Sequence, residues 1–188
     1  MARYKVGLAT RRRILEATRL VLGERGLDGT TLKAICQRAD IGAGSFYNLF
    51  GSKEAAILQV VREAIRAVDP DPAGSGEDSI ADLSAAFVKF VTGDPELARI
   101  YVQIAVSGGL TDDRLRERVL AHHERRVYRF TDALQRERPD LAPGEARVEA
   151  QRLIAALTGL VLYWLLDPSQ PFEELAEGLV ERLRPDRA

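Results

Sequence analysis

A chain of 188 residues, 46% of them hydrophobic, holds one medium domain or a small domain joined to a larger one, with enough apolar side chain to build a core. Its single cysteine, Cys36, excludes an internal disulfide and fits a reducing compartment. The opening MARYKVGLATRRR has no apolar signal core, and the longest apolar run, Leu153 to Leu166, falls short of the roughly 20 residues a bilayer needs, so a cytoplasmic protein with no membrane partner is expected.

Net charge is −1, but its distribution is uneven. Residues 1–66 hold twelve Lys/Arg against six Asp/Glu, a net of +6; residues 67–188 hold fifteen against twenty-two, a net of −7. Such asymmetry points to one half that meets a polyanion.

No stretch alternates with period two, whereas apolar residues recur at helical spacing. Ile14, Thr18, Val21 and Leu22 give a first stripe that Gly26 stops. Leu32, Ile35, Cys36 and Ala39 give a second, with Thr31 placed to cap it. Phe46 and Phe50 share the inner face of a third, very short helix. Ser52 caps a fourth, which runs through Ile57, Leu58, Val61 and Ile65 to about Val68, with Glu54 set against the helix dipole.

The stretch DPDPAGSGEDS, residues 69–79, reads as a loop and, by composition, as a domain junction. Beyond it Leu83, Phe87, Phe90 and Val91 form a stripe, and Asp94-Pro95 supplies an N-cap and first-turn proline for a helix that ends near Gly108-Gly109. A long helix from about Asp112 to Arg138 carries Leu115, Val119, His123, Val127, Phe130 and Leu134. Another runs from about Glu145 to Leu166, and a last one follows Pro171. The expectation is an all-α protein of about nine helices. Residues 1–51 would form a small helical domain and residues 52–188 a larger one, with helix 52–68 connecting them.

The segment TTLKAICQRADIGAGSFYNLF meets the needs of a helix-turn-helix. Thr31 to Ala39 is the supporting helix, Asp40-Ile41-Gly42 the turn, and Ala43 to Phe50 the helix that enters the major groove. Ala43 and Gly44 are small enough for close backbone approach. Ser45 and Asn48 can hydrogen-bond base edges, Tyr47 can reach a phosphate, and Lys53 beside a helix N-terminus forms an anion site. Alone, Tyr47 reads as half-buried core and Lys53 as a solvated charge; their joint placement in the basic half favours DNA contact.

These residues resemble the TetR family of bacterial transcriptional regulators. The matching positions are Gly26, Thr30-Thr31, Ile35, Ala39, Ile41, Gly44-Ser45, Phe46-Tyr47, Phe50 and Ser52-Lys53-Glu54, within about residues 10 to 60. The resemblance implies that Thr31, Tyr47 and Lys53 contact phosphates and that the start of the third helix faces bases. Two positions depart from the common pattern: Gly42 stands where a capping serine or threonine is frequent, and Leu49 where an aromatic is frequent.

The segment QRLIAALTGLVLYWLL is apolar on nearly all sides and so must be covered on more than one side. With the final helix it makes a surface expected to pair with a second copy in a four-helix interface, giving a homodimer on a palindromic operator. The resemblance also implies a small-molecule cavity among the middle helices. Phe87, Phe90, Tyr101, Gln103, His123 and Trp164 are the candidate lining residues, for a hydrophobic or amphipathic effector. His123 by itself reads first as a core histidine bonded to a backbone carbonyl, and as a pocket residue only second. Adjacent side chains such as His122 and His123 point about 100° apart on a helix and rarely share an ion, so no metal is expected. No nucleophile-base order or phosphate loop suggests an enzyme, and no cofactor is expected. The mechanism expected is release of a repressor from its operator by an effector that shifts the fourth helix; activation is the other direction the same switch allows.

Overall fold

The computed structural model describes residues 2–71, 74–108 and 113–183. Among them are nine α-helices and no strands: α1 (Ala2–Gly29), α2 (Leu32–Ala39), α3 (Ala43–Phe50), α4 (Lys53–Ala67), α5 (Ile80–Gly93), α6 (Pro95–Gln103), α7 (Asp113–Glu137), α8 (Pro143–Leu166) and α9 (Phe172–Glu181). A π-helical turn, Ile104–Gly108, extends α6. Gly109 and Asp112, the expected flanks of α6 and α7, lie outside the described residues.

Local signals set most of the boundaries. Gly26 breaks α1 with φ 65° and ψ −174°, a conformation that essentially only glycine adopts. Thr30 Oγ1 then donates to the Gly26 carbonyl at 2.6 Å and secures the break. Thr31 Oγ1 accepts the Ala34 N–H at 3.1 Å, and Ser52 Oγ accepts that of Ala55 at 3.1 Å, capping α2 and α4. Ser79 and Asp82 form a reciprocal capping box on α5. Asp94 Oδ1 accepts the Leu97 N–H at 3.1 Å, with Pro95 at the first helical position of α6. α8 begins at Pro143 rather than Glu145. Proline suits the first turn, and Glu145, two residues in, reaches back to accept the Ala142 N–H at 3.0 Å.

The core is continuous from the N-terminal helices into the middle of the molecule. Ile14 and Leu22 of α1, Ile35 of α2, Phe46 of α3 and Ile57 and Val61 of α4 belong to one buried cluster with Phe90, Ile100 and Val161. A second cluster joins Leu83 of α5 to Val127 and Leu134 of α7, Ile154 and Leu157 of α8 and Val180 of α9. Each such side chain stabilises the fold by about 1.5–3 kcal/mol when fully buried. Helix α4 is the mechanical link. Its first half, Ala55 to Leu58, is buried, while Arg62, Ile65 and Arg66 of its second half face a cavity shared with α5, α6 and α7.

Helix α8 corrects one expectation. At 24 residues it is long and apolar enough, by length and composition, to cross a membrane, although the apolar run inside it, Leu153–Leu166 broken by Thr158 and Gly159, is shorter. Its buried line, Ala146, Ala150, Leu153, Ile154, Leu157 and Val161, packs into the two protein clusters instead.

Candidate nucleic-acid interface and ligand cavity

Helix α3 is aimed from behind. Phe46 and Phe50 are buried, with ring centroids 5.6 Å apart. Their four-residue spacing brings both to the same face. The opposite face, Ala43, Gly44, Ser45, Tyr47 and Asn48, is exposed, and Tyr47 is 54% accessible. The Tyr47 ring stands edge-on to Phe46 at 6.1 Å, so its hydroxyl end projects outward from a fixed base.

The turn before α3 is held by backbone geometry. Asp40 takes the left-handed conformation, φ 50° and ψ 58°, which aspartate tolerates better than most residues. Ile41 N–H bonds the Cys36 carbonyl at 3.1 Å, closing the end of α2. Arg13 of α1 donates to the carbonyls of both Ala39 and Asp40, the latter at 3.0 Å, and so satisfies carbonyls that the helix end exposes.

Thr31 is exposed at the start of α2 with its hydroxyl engaged in capping. Lys53 is half-buried; its Nζ donates to the Thr30 carbonyl at 3.0 Å and lies 3.8 Å from Glu54 Oε1. Lys53 is therefore not the loose surface charge that its sequence position alone allows. It stands beside the N-terminus of α2 with two of its three ammonium donors left for other acceptors. Arg11 lies over the Phe50 ring at 5.0 Å, adding a cation near the C-terminal end of α3 that no sequence motif singled out.

The second site is a cavity of about 300 Å³ between α4, α5, α6 and α7. Of the six predicted pocket residues it gathers three: Phe87, Phe90 and Tyr101. Gln103 is exposed on α6. Trp164 packs on Phe172 at 5.7 Å, in the layer of α8 and α9. His123 is half-buried but faces elsewhere, and its neighbour His122 lines the cavity instead, edge-on to Tyr101 at 5.8 Å. One residue rotates the direction by about 100° on a helix. The cavity meets α7 along 122, 126 and 129, not along the 119–123–127 line.

What the apolar pattern of the sequence did not reveal is charge. Five arginines line this cavity: Arg62 and Arg66 from α4, and Arg125, Arg126 and Arg129 from α7. Among the described residues Asp69 is the one carboxylate in the lining, and Arg129 grips it with two contacts of 2.9 Å. Burial, with Arg126, Arg125 and Arg62 nearby, pushes His122 down to about 4, so its imidazole is neutral at pH 7. Burial lowers Arg126 to about 10, which leaves it protonated at pH 7, and burial with neighbouring guanidinium groups lowers Arg62. A signal was available, because Arg62 and Arg66 stand four residues apart on one helix, and so do Arg125 and Arg129. Like charges at that spacing disfavour an isolated helix.

The outer faces of α8 and α9 carry exposed apolar side chains: Val148, Leu162, Tyr163 and Leu166 on α8 and Leu175 on α9. Leu162, Tyr163 and Leu166 lie within about one turn of one another on α8. Among the described residues, no group of three or more His, Cys, Asp or Glu side chains could hold a metal ion.

Comparison with known proteins agrees with this layout. Residues 14–60 match the bacterial regulatory proteins of the tetR family, and residues 77–184 match the C-terminal region of the BetI-type transcriptional repressor. The HTH-type transcriptional regulator BetI of Paraburkholderia phymatum is 38% identical over 64 residues, covering 33% of each chain. UidR of Escherichia coli K12 is 42% identical over 52 residues, covering 28% of this chain and 26% of that one. The matched stretches thus span a third or less of these curated relatives. Among solved structures, the multidrug binding protein EbrR complexed with imidazole superposes with a TM-score of 0.66 at 23% identity, covering 95% of this chain and 91% of that one. Thermus thermophilus FadR in complex with lauroyl-CoA gives 0.66 at 21% identity, covering 95% and 98%. At such identities the likeness is one of fold. With its helix-turn-helix end matched and more than half its length matched again in the larger helical part, the chain belongs to the TetR family of bacterial regulatory proteins.

Proposed function

We propose that this protein is a dimeric repressor that holds a palindromic operator and releases it when a small molecule enters the cavity beside α4. The observation that carries the DNA half of this reading is α3: a short helix anchored by two buried phenyl rings, with Ala43, Gly44, Ser45, Tyr47 and Asn48 exposed on its other side. Base edges would be read by Ser45 and Asn48, while Thr31, Tyr47 and Lys53 would hold phosphates. Residues 1–51 act as the reader and 52–188 as the sensor. Pairing through the apolar faces of α8 and α9 would set two α3 helices about 34–36 Å apart, one turn of DNA, or a multiple of it. Acting on chromosomal DNA, the protein works in the cytoplasm.

The sensing half rests on the position of α4. Its buried first half supports the reader and its second half lines the cavity, so a ligand that displaces it displaces α3. The ligand need only favour the DNA-incompetent arrangement by about 1–3 kcal/mol. Fold relatives hold imidazole in one case and lauroyl-CoA in another, so the architecture by itself selects no ligand class. The test is selection of bound fragments from the source genome, followed by operator affinity with and without candidate ligands. Expected are a palindromic site, affinity that falls steeply as salt rises, and loss of binding on ligand addition. Binding that ignores salt and sequence would defeat the reading. Tighter operator binding with ligand would make the ligand a co-repressor or co-activator and not an inducer.

A further inference from the structure

The cavity beside α4 has an apolar body and a cationic wall. Phe87, Phe90, Leu83 and Phe130 supply the body. Arg62, Arg66, Arg125 and Arg126 supply the wall, and among the described residues none of these four is paired with a carboxylate. Arg129 differs, since Asp69 and Asp78 already neutralise it.

Arg126 is the decisive group. Its Nη2 has lost contact with solvent and has no hydrogen-bond partner. Its guanidinium lies over Phe87 at 4.1 Å and near Phe130 at 5.7 Å. Ring faces offset part of the cost of burying a cation, but they do not satisfy its N–H donors. Among the described residues, Arg62 is hydrogen-bonded only to the Arg118 carbonyl, at 3.3 Å. Arg66 and Arg125 are exposed and keep water as a partner, but Arg126 has a buried donor left open, and with Arg62 and the two exposed guanidinium groups around it an acceptor that carries negative charge fits best.

We propose that the effector is an organic anion: an acidic head, carboxylate or phosphate, on a short apolar tail. The head lies between Arg126 of α7 and the Arg62–Arg66 pair of α4, and the tail lies against Phe87, Phe90 and Phe130. Anion binding replaces repulsion between the α4 and α7 arginines with shared attraction, so the charge that is recognised also moves α4. Neutral His122, held at the wall by burial and by the same arginines, adds a donor without adding a carboxylate's repulsion. A cationic ligand of equal size is excluded by the same field. This inference rests on the effector reading above and names the chemical class of that ligand.

The test uses the full-length protein without DNA and four probes that share a ten-carbon chain: decanoate, decanoyl-CoA, decanol and decyltrimethylammonium. Calorimetry is expected to show decanoate or decanoyl-CoA binding at least tenfold tighter than decanol, with no heat from the cation. Decanoate alone would identify a free acid as the class; decanoyl-CoA alone, whose phosphates lie a pantetheine arm away from its chain, would overturn the placement of the head beside Arg126. Arg126→Met, close in length and apolar, is expected to weaken the anion at least tenfold and leave decanol unchanged. Equal affinity for anion and alcohol in the native protein, or failure of both anions to bind at millimolar concentration, overturns the proposal whether or not Arg126→Met folds. Operator release is measured separately. Anion binding without release leaves the anion site standing and removes the effector role. Release by a neutral or cationic compound keeps the effector role and removes the anion.

Discussion

Arg129 grips Asp69 with two parallel contacts of 2.9 Å, Nη1 to Oδ2 and Nη2 to Oδ1, and the same guanidinium also binds Asp78. Asp69 follows the end of α4 and Asp78 precedes α5, so one side chain of α7 fastens both ends of the connecting loop. The pairing holds the Asp69 carboxyl below its ordinary value of 3.8, chiefly through the Arg129 hydrogen bonds. Asp78 is buried.

Arg129→Ala is therefore expected to destabilise the fold by about 2–4 kcal/mol, because it leaves a buried carboxylate without its partner. Arg129→Lys should recover only part of this, since an ammonium lacks the planar fork. Urea midpoints at pH 7 check both. The sign with pH follows from the depressed carboxyl: stability from this pair is present above about pH 4 and is lost as pH falls further.

The reader can be tested by separating phosphate contacts from base contacts. Tyr47→Phe should weaken all DNA sequences by roughly 3–10-fold, the worth of one hydrogen bond. Lys53→Ala should weaken them by about 10-fold or more and reduce the salt slope by about one. Because Lys53 also bonds the Thr30 carbonyl, its melting temperature must be measured beside its affinity. Asn48→Ala should instead change which operator bases are preferred. DNA affinity untouched by Tyr47→Phe and Lys53→Ala together would reject the contact assignment.

The parts legible in the sequence were those governed by near neighbours. Thr31, Ser52, Asp94 and Pro95 act within one helical turn, and each sits where its spacing placed it. Phe46 and Phe50 were legible as an inner face for the same reason. The cavity was not, because it is built by four helices whose relative rotation no local pattern reports. A shift of one residue on α7 exchanged His123 for His122, and arginines of α4 and α7 that a helical wheel treats separately line one cavity. The aromatics Phe87 and Phe90 came through because their stripe faces the core from either side.

The apolar outer face of α8 makes a prediction about assembly. Leu162, Tyr163 and Leu166 are 48%, 68% and 75% exposed in the single chain, a state that pairing with a second copy would relieve. Leu162→Glu with Leu166→Glu should leave helix content unchanged, since both side chains point outward, yet shift the mass in light scattering from dimer to monomer at micromolar concentration. Affinity for a palindromic operator should fall at least 100-fold, because each half-site is then bound alone. A native protein that is monomeric at that concentration would remove the premise.

Acid should loosen the cavity before it loosens the Arg129 clasp. His122 titrates at about 4 in the folded chain against 6.5 ordinarily, with burial the first cause and Arg126, Arg125, Arg62 and His123 adding repulsion. Between those values the unfolded chain binds the extra proton and the folded chain does not, so stability is full above about pH 6.5 and declines as pH falls toward 4. The size is roughly 1–3 kcal/mol, since each tenfold loss of proton affinity is worth about 1.4 kcal/mol and the ring is only partly buried. His122→Gln should flatten the change in urea midpoint between pH 7.5 and pH 5, while the loss below pH 4 from Asp69 persists.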